Sequence, residues 1–207
     1  YKKLQNQVDY VDGASLLLNE LLEADLLSGI GRAYGMEVYV KKNNGKLTGW
    51  VSYTLARSER QVTGINDGNW YPNRFDRKHN LYIVSQYQLN QKWEFAANFV
   101  FSTGTPASFY TGQYSVQGYV VPDAGSNARN NVRNPTYHRL DLSATYTRKK
   151  TKEFESYWVF SCYNAYNRRN PFSIYFSTNY KDLGQNAAIR YSVIGSIIPA
   201  VSYNFKF

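Results

Sequence analysis

Two histidines and one cysteine are the side chains of this 207-residue sequence that are best suited to metal or nucleophile chemistry. His79 and His138 lie far apart in the sequence, and no cluster of acidic residues and cysteine accompanies either of them. A zinc site needs three or four converging ligands, and Cys162 alone can form neither a cysteine-based zinc site nor an intrachain disulfide. We therefore expect structural hydrogen bonds from both histidines, no metal centre and no cofactor.

The sequence also gives no indication of a catalytic site. Residues 31–35, GRAYG, contain two glycines but lack the Gly-rich strand-to-helix context that a phosphate-binding loop requires. No spacing of Ser, His and Asp, and no pair of carboxylates, indicates nucleophilic or acid–base catalysis. We predict that the chain is not an enzyme.

The net charge of +9 comes from 24 Lys and Arg residues against 15 Asp and Glu residues. Such a charge suits nucleic acid, an anionic membrane surface or acidic ligands. The basic residues are interleaved with strand-like apolar segments, and no nucleic-acid recognition module is present. We therefore expect no nucleic-acid partner.

The elements that must position these residues carry apolar side chains at every second position, which is the period of a strand with one apolar face. In residues 93–101, WEFAANFVF, that face carries Trp93, Phe95, Phe99 and Phe101. The same alternation predicts seven strands, at residues 34–40, 46–57, 81–89, 93–101, 139–148, 157–164 and 193–207. We expect residues 1–7 to be the end of a further strand and residues 171–176 to be the top of the strand that begins at 157.

One stretch departs from this period. Residues 14–27, ASLLLNELLEADLL, have the leucine spacing of an amphipathic helix. The competing interpretation is a loop that leads into the next strand, and we favour it for the second half of the stretch.

The predicted connections alternate between short and long. Residues 42–46, KNNGK, predict a tight hairpin because Asn-Gly readily adopts positive φ angles, and residues 90–92 and 149–155 are also short. Long irregular segments lie between them, at residues 58–77, 104–137 and 178–189. This is the connection pattern of an outer-membrane β-barrel, which has short periplasmic turns and long external loops. It places Phe207 on the short-turn, periplasmic side.

The composition is compatible with such a barrel. The sequence has no apolar run of about 20 residues that could form a transmembrane helix, and its mean hydropathy is −0.54. An alternating barrel strand keeps that average polar. The aromatic share is 17%, and aromatic residues at strand ends suit a membrane interface. A soluble antiparallel sandwich or a lipocalin-like barrel also alternates and stays the alternative.

Five segments carry a resemblance to a known family. These are residues 12–61, GINDGNWYPNRFDRKHNL at 64–81, YHRLDLSATY at 137–146, NAYNRRNPFSIYF at 164–176 and IIPAVSYNFKF at 197–207. Together they resemble the late barrel of a TonB-dependent receptor, of the Bacteroidota type that carries a carboxypeptidase-regulatory-like domain. The resemblance covers nearly the whole chain and lies in the run of motifs rather than in any single one.

The resemblance implies an all-β fold, an antiparallel transmembrane β-barrel of about 22 strands that encloses a plug. It also implies import of a nutrient ligand across the outer membrane, energised by the inner-membrane TonB complex. Residues 1–207 have no plug, TonB box or regulatory-like domain, and they supply about a third of such a barrel. With no initiating Met, Tyr1 looks like an internal position or a processed start. We expect a C-terminal barrel segment of roughly seven to eight strands, with a self-contained barrel of eight strands as the rival.

Two sets of candidate site residues follow. Tyr203, Phe205 and Phe207 resemble the C-terminal signal that the barrel-assembly machinery recognises, although they would also suit a lipid-facing girdle. The candidate external contacts for an anionic ligand or for lipopolysaccharide are Arg60, Trp70, Tyr71, Arg74, Arg77, Arg129, Arg133, Arg168 and Arg169. We favour the plainer reading, in which these arginines contact lipopolysaccharide phosphates or loop carboxylates such as Asp67 and Asp76.

Two functions remain open from the sequence. The first is a part of a TonB-dependent nutrient transporter, with outer-membrane lipid, the remainder of the receptor, the TonB complex, the assembly machinery and a candidate surface lipoprotein as partners. The second is a structural or partner-binding barrel component of the outer membrane that does not transport. A plug with a TonB box upstream of Tyr1 would distinguish the first from the second.

Overall fold

The computed structural model describes residues 1–12, 14, 20–109, 112–117, 119–123, 129–151, 153–178 and 186–207. Within them the chain is all-β, apart from two 3₁₀ turns at Leu22–Asp25 and Asn66–Gly68. The strands are β1 (Lys2–Tyr10), β2 (Leu26–Lys42), β3 (Leu47–Val62), β4 (Tyr71–Pro72), β5 (His79–Gln88), β6 (Trp93–Ser102), β7 (Pro106–Ala107), β8 (Gly112–Val116), β9 (Tyr119–Asp123), β10 (Val132–Arg133), β11 (Tyr137–Lys150), β12 (Glu155–Tyr163), β13 (Ser173–Thr178), β14 (Asn186–Tyr191) and β15 (Ile198–Lys206).

Eight of these strands form one antiparallel sheet in the order β1-β2-β3-β5-β6-β11-β12-β15, and β4 pairs with the far end of β3. Three separate two-stranded sheets, β7 with β10, β8 with β9 and β13 with β14, lie in the longer connections. The order is open, because no pairing among the described residues joins β1 to β15. The sheet therefore does not close into an eight-stranded barrel.

The pairing register places the alternating side chains on two continuous faces. Val40 of β2 lies opposite Val51 of β3, which lies opposite Ile83 of β5, and Ile83 lies opposite Phe99 of β6. The neighbouring row, Tyr39 opposite Ser52, is polar or amphipathic. We call these the apolar face and the polar face of the sheet.

The apolar face has no second layer on it within the described residues. Large apolar side chains on this face stay exposed, among them Met36 at 56%, Val40 at 61% and Val201 at 62%. Among the described residues, the buried hydrophobic core consists of Val62, Ile65 and Tyr71, with Leu27 packed beside it. The chain exposes 14712 Å², whereas a compact monomer of this mass exposes about 9,900 Å². A soluble sandwich, which buries two sheets face to face, is therefore not the observed architecture.

The connections confirm the predicted alternation of length. Those at residues 43–46, 89–92 and 151–154 lie at one end of the sheet, which we call the turn end. At residues 89–92 the side chain of Asn90 accepts hydrogen bonds from the backbone N–H groups of Lys92 and Trp93, both at 2.9 Å. The longer connections lie at the opposite, or loop, end. Lys206 pairs with Glu155, so the C-terminus lies at the turn end as predicted.

The long loops are more structured than the sequence predicts. The predicted loop at 58–77 begins too early, because β3 continues to Val62 and pairs with β2 as far as Gly29. The loop also contains the short strand β4 at Tyr71–Pro72, and it ends close to the start of β5 at His79. Polar residues continue the ladder because the backbone hydrogen bonds of a strand do not require apolar side chains. The segments predicted as irregular at 104–137 and 178–189 also contain β7 to β10 and most of β14.

Two further predictions about strand ends are corrected. Residues 171–176 do not continue β12: Asn164 has a positive φ of 55° that ends the strand, and Ser173–Thr178 pairs with β14 instead. The closing strand begins at Ile198 rather than at Val193. Residues 2–7 do belong to an eighth strand, β1, which continues to Tyr10. In the leucine-rich stretch, Leu22–Asp25 is a single 3₁₀ turn and β2 begins at Leu26, which agrees with a loop leading into a strand. Residues 15–19 of that stretch lie outside the described residues.

No helix in the described parts of the chain has the length and apolar character needed to cross a membrane.

Candidate functional site on the polar face at the loop end

Arg77 lies between two cavities that open on the polar face of the sheet near its loop end. One cavity of 560 Å³ is lined on the polar face by Glu37, Thr54, Ser58, Asn80 and Arg77, and it extends to Tyr34, Met36 and Arg57. The other, of 300 Å³, is bounded on its far side by residues of β5, β6, β11 and the loops that follow them. Both are open clefts of the size that small ligands occupy.

The second cavity combines aromatic rings with hydrogen-bonding groups. Tyr82 lies opposite Val100, and Tyr137 lies opposite Ser102, so the pairing register brings these four residues to the same face. Phe172, which is exposed, forms part of the rim. The Nη1 atom of Arg77 donates a hydrogen bond of 3.3 Å to Oγ of the buried Ser102. A guanidinium has five N–H donors, so Arg77 can also bind an anionic or hydroxylated group in the cavity.

Arg129 holds three loop segments together instead of facing a cavity. Its guanidinium donates to Oδ1 of Asp9 at 2.8 Å, to Oδ1 of Asp12 at 2.6 Å and to the carbonyl of Tyr10 at 2.9 Å. Its backbone N–H donates to Oδ1 of Asn66 at 2.6 Å. Burial alone would lower the pKa of Arg129, but the hydrogen bond to Asp12 and the charges of Asp9 and Asp12 outweigh it and raise the pKa. Arg129 therefore keeps its charge and acts as a fixed link.

Tyr71 belongs to the same cluster and is part of the core. Its ring is 1% exposed, and its hydroxyl donates to Oδ2 of Asp9 at 2.8 Å. Burial, the hydrogen bond to Asp9 and the charge of that carboxylate raise the pKa of Tyr71 well above its ordinary value. The neutral phenol is thus held in place as a structural group.

Arg133 makes a second link between loops. It forms an ion pair with Asp76, whose side chain is 1% exposed, and it donates to the carbonyls of Asp76 at 3.1 Å and Gly104 at 3.2 Å. The other oxygen of Asp76 accepts a hydrogen bond of 2.6 Å from the backbone N–H of Ser58. A buried carboxylate needs this set of partners, because an unpaired buried charge is strongly destabilising. The expected contact of a loop arginine with Asp76 is therefore present.

Arg168 makes a third link, at the loop end of β11 and β12. It donates to the carbonyl of Thr136 at 3.1 Å and to Oδ1 of Asn170 at 3.2 Å. Asn170 bonds both the N–H and the carbonyl of His138, at 3.1 and 2.9 Å. Arg168 thus anchors the segment 164–170 to the loop end of the sheet.

The remaining candidates lie in separate places. Arg60 donates to the carbonyl of Val8 at 3.3 Å, and its buried Nε has no hydrogen-bond partner in the described parts of the chain. The guanidinium carbon of Arg32 lies over the ring of Trp70, 4.2 Å from the ring centre. Arg74 lies 5.9 Å from the ring centre of exposed Phe75, and Arg169 is exposed. Of the nine predicted contacts, Arg77 is the one that borders both polar-face cavities.

No local sequence pattern predicts the acidic partners that hold these loops. Asp9, Asp12 and Glu59 were not singled out, and Glu59 pairs with both Arg32 at 2.7 Å and Arg57 at 2.6 Å. A weak signal was present in the asparagines of the loops, since Asn66, Asn130, Asn164 and Asn167 adopt positive φ. Asparagine tolerates that conformation and can bond nearby backbone groups.

Both histidines make hydrogen bonds with tyrosine, as expected. The Nδ1 atom of His79 lies 2.8 Å from the hydroxyl of Tyr53, and that of His138 lies 2.7 Å from the hydroxyl of Tyr166. In the part of the chain that the structure describes, no group of three or more His, Cys, Asp and Glu residues could hold a metal ion.

The C-terminal aromatics lie in an aromatic row at the turn end. Tyr203 packs against Trp158 with ring centres 4.8 Å apart, and Phe207 lies 5.6 Å from both Phe154 and Phe205. Trp93 and Tyr146 continue the row along the sheet, 4.9 Å apart.

The chain matches no family model, no curated protein and no solved structure.

Proposed function

We propose that this chain is the C-terminal barrel part of a TonB-dependent outer-membrane receptor, which imports a nutrient ligand with energy from the TonB complex. The observation that carries the proposal is the open eight-stranded sheet with one uncovered apolar face and one polar face. The alternation of short and long connections supports the same reading.

The height of the apolar face suits the hydrocarbon layer of an outer membrane. On β3 it runs from Leu47 to Leu55 and gives way to Arg57 and Glu59. Eight steps of about 3.3 Å make about 26 Å along the strand. A tilt of about 40° reduces that to about 20 Å, close to the band of about 25 Å that barrels present to lipid. The aromatic row at the turn end would then lie at the periplasmic interface.

The two edges of the sheet favour a larger barrel. In the parts of the chain that the structure describes, β1 and β15 each have one neighbouring strand in the sheet. In lipid, unpaired backbone N–H and C=O groups cost several kcal/mol each. Further strands on both edges would satisfy them, and a barrel of about 22 strands supplies such strands. The polar face with Arg77 would line the lumen near its external mouth, where the plug of such a receptor and the ligand would meet it.

The full-length protein isolated from native outer membranes tests this proposal. We expect a single polypeptide several times heavier than 23.9 kDa that binds the purified periplasmic domain of TonB. A polypeptide of 23.9 kDa without a plug chain would contradict the receptor assignment. A larger polypeptide in the outer membrane that does not bind TonB would favour the alternative, a structural barrel component without transport.

A further inference from the structure

A groove on the apolar face at the loop end joins an apolar floor to a cationic rim. The groove has a volume of 510 Å³ and is lined by Tyr34, Met36, Leu55, Arg57 and Lys78. Tyr34 and Met36 lie on β2 opposite Arg57 and Leu55 of β3, so the pairing register places the cationic rim directly beyond the apolar pair. Below it, Val38 and Val40 continue the apolar strip towards the turn end.

The rim carries more positive than negative charge. Arg32 and Arg57 share the carboxylate of Glu59, which is 3% exposed, and each bonds it within 2.8 Å. With Lys78, the cluster has three positive groups and one negative group. Arg57 stays 45% exposed in spite of its ion pair. Arg32 is held over the ring of Trp70. The cations that can meet a ligand at the groove are therefore Arg57, which is exposed, and Lys78, which is partly buried.

We propose that this groove binds an outer-leaflet lipid with a phosphorylated headgroup, of the lipid A class, and this inference rests on the proposed function. The phosphates contact Arg57 and Lys78, and one acyl chain lies along Met36 and Leu55. Guanidinium and ammonium groups bind phosphate through charge-assisted hydrogen bonds. Cations placed just beyond an apolar surface are typical of lipid headgroup sites. The groove adjoins the 560 Å³ cavity, with which it shares Tyr34, Met36 and Arg57, whereas none of its lining residues borders the 300 Å³ cavity.

The test measures lipid retained by the full-length outer-membrane protein in mild detergent, by native mass spectrometry. After delipidation, the protein is offered lipid A with both phosphates, dephosphorylated lipid A, or inorganic phosphate alone. The variant is Arg57→Gln/Lys78→Gln, with Lys78→Gln alone as the milder change because Arg57 also neutralises Glu59. The matched control is Lys41→Gln/Lys42→Gln, which removes the same charge at the other end of β2.

We expect the double variant to lose lipid A retention about tenfold, since charge-assisted hydrogen bonds to phosphate are lost, and Lys78→Gln to lose part of it. The control keeps full retention, and dephosphorylated lipid A binds poorly to the unaltered protein. Equal retention by variant and control, equal binding of dephosphorylated lipid, or displacement by inorganic phosphate would each overturn the site. If the unaltered protein is absent from the outer membrane and retains no lipid, both the lipid site and the proposed function are contradicted.

Discussion

Single arginine and aspartate side chains hold the loop end of this sheet together across long stretches of sequence. Arg129 reaches Asp9 and Asp12, and Arg133 reaches Asp76. Most of these charged groups are at least partly buried, where removing one partner leaves the other without its compensating charge. The loops are therefore fixed to one another by specific ion pairs, and Arg77 is left to face the polar-side cavities.

Replacement of Arg129 tests this link. Arg129→Met removes the bonds to Asp9, Asp12 and Tyr10, and we expect it to weaken loop closure by about 2 kcal/mol, the range for hydrogen bonds between charged groups. Limited proteolysis of the folded protein should then cut the loops roughly tenfold faster or more. Arg169→Met, which changes an exposed arginine, is the control. Equal cleavage of both variants would contradict the link.

Tyr71 gives the loop cluster a dependence on alkaline pH. Its pKa is raised in the folded protein, so its contribution to stability is complete below the unfolded value of about 10. That contribution is lost as pH rises through the folded pKa. We expect loop proteolysis to accelerate above pH 10 in the native protein, and less steeply in Tyr71→Phe, which should also cost about 1 kcal/mol at neutral pH. Identical pH profiles would remove Tyr71 from this role.

At the scale of elements, the alternation of apolar residues was enough to predict the strands of the main sheet and the three short turns. Each strand carries its own period-two pattern, and short turns have local chemistry, as at Asn90. The loops could not be predicted in the same way. The partners of Arg129 and Arg133 lie more than 50 residues away in the sequence, so no local pattern records which acidic residue each arginine meets.

The sequence pattern did not predict the extra length of β3. It also did not predict the separate hairpin of β13 and β14, for a related reason. Residues 57–61 of β3, RSERQ, are polar, yet the ion pairs of Glu59 with Arg32 and Arg57 align the ladder. The sequence pattern of residues 171–176 is that of a strand. That local pattern does not show whether the segment continues β12 or begins a new hairpin. The positive φ of Asn164 and its hydrogen bonds to Arg168 turn the chain there.

The last strand gives a prediction at this scale. Phe205→Ser/Phe207→Ser removes aromatic rings from the apolar side of the C-terminal segment. Under the proposed function these rings belong to the barrel-assembly signal, so we expect the amount of folded protein in the outer membrane to fall about tenfold. Asn204→Ser/Lys206→Ser changes the opposite face of the same strand and is the control. Heat-modifiable migration in gels measures the folded fraction. If the aromatics are only girdle residues, both variants will assemble in equal amounts.

At the scale of the whole molecule, the sheet exposes an apolar face, which is unfavourable in water. In the described parts of the chain, its two edge strands, β1 and β15, also have backbone groups without a partner strand. Its exposed area exceeds that of a compact monomer by about half. Lipid on the apolar face and further strands at β1 and β15 would satisfy both needs at once. The polar face would then enclose the ligand path, with the loop cluster at its mouth.

The accessibility of two neighbouring residues on β2 tests this account most directly. Val40 and Tyr39 are each 61% exposed in the chain, but they lie on opposite faces. Spin labels at Val40→Cys and Tyr39→Cys, in the full-length protein with Cys162→Ser, are measured in outer membranes with oxygen and with an aqueous nickel complex. We predict that the label at position 40 meets oxygen and excludes nickel, while the label at position 39 meets nickel. Equal access of nickel to both positions would contradict the membrane assignment.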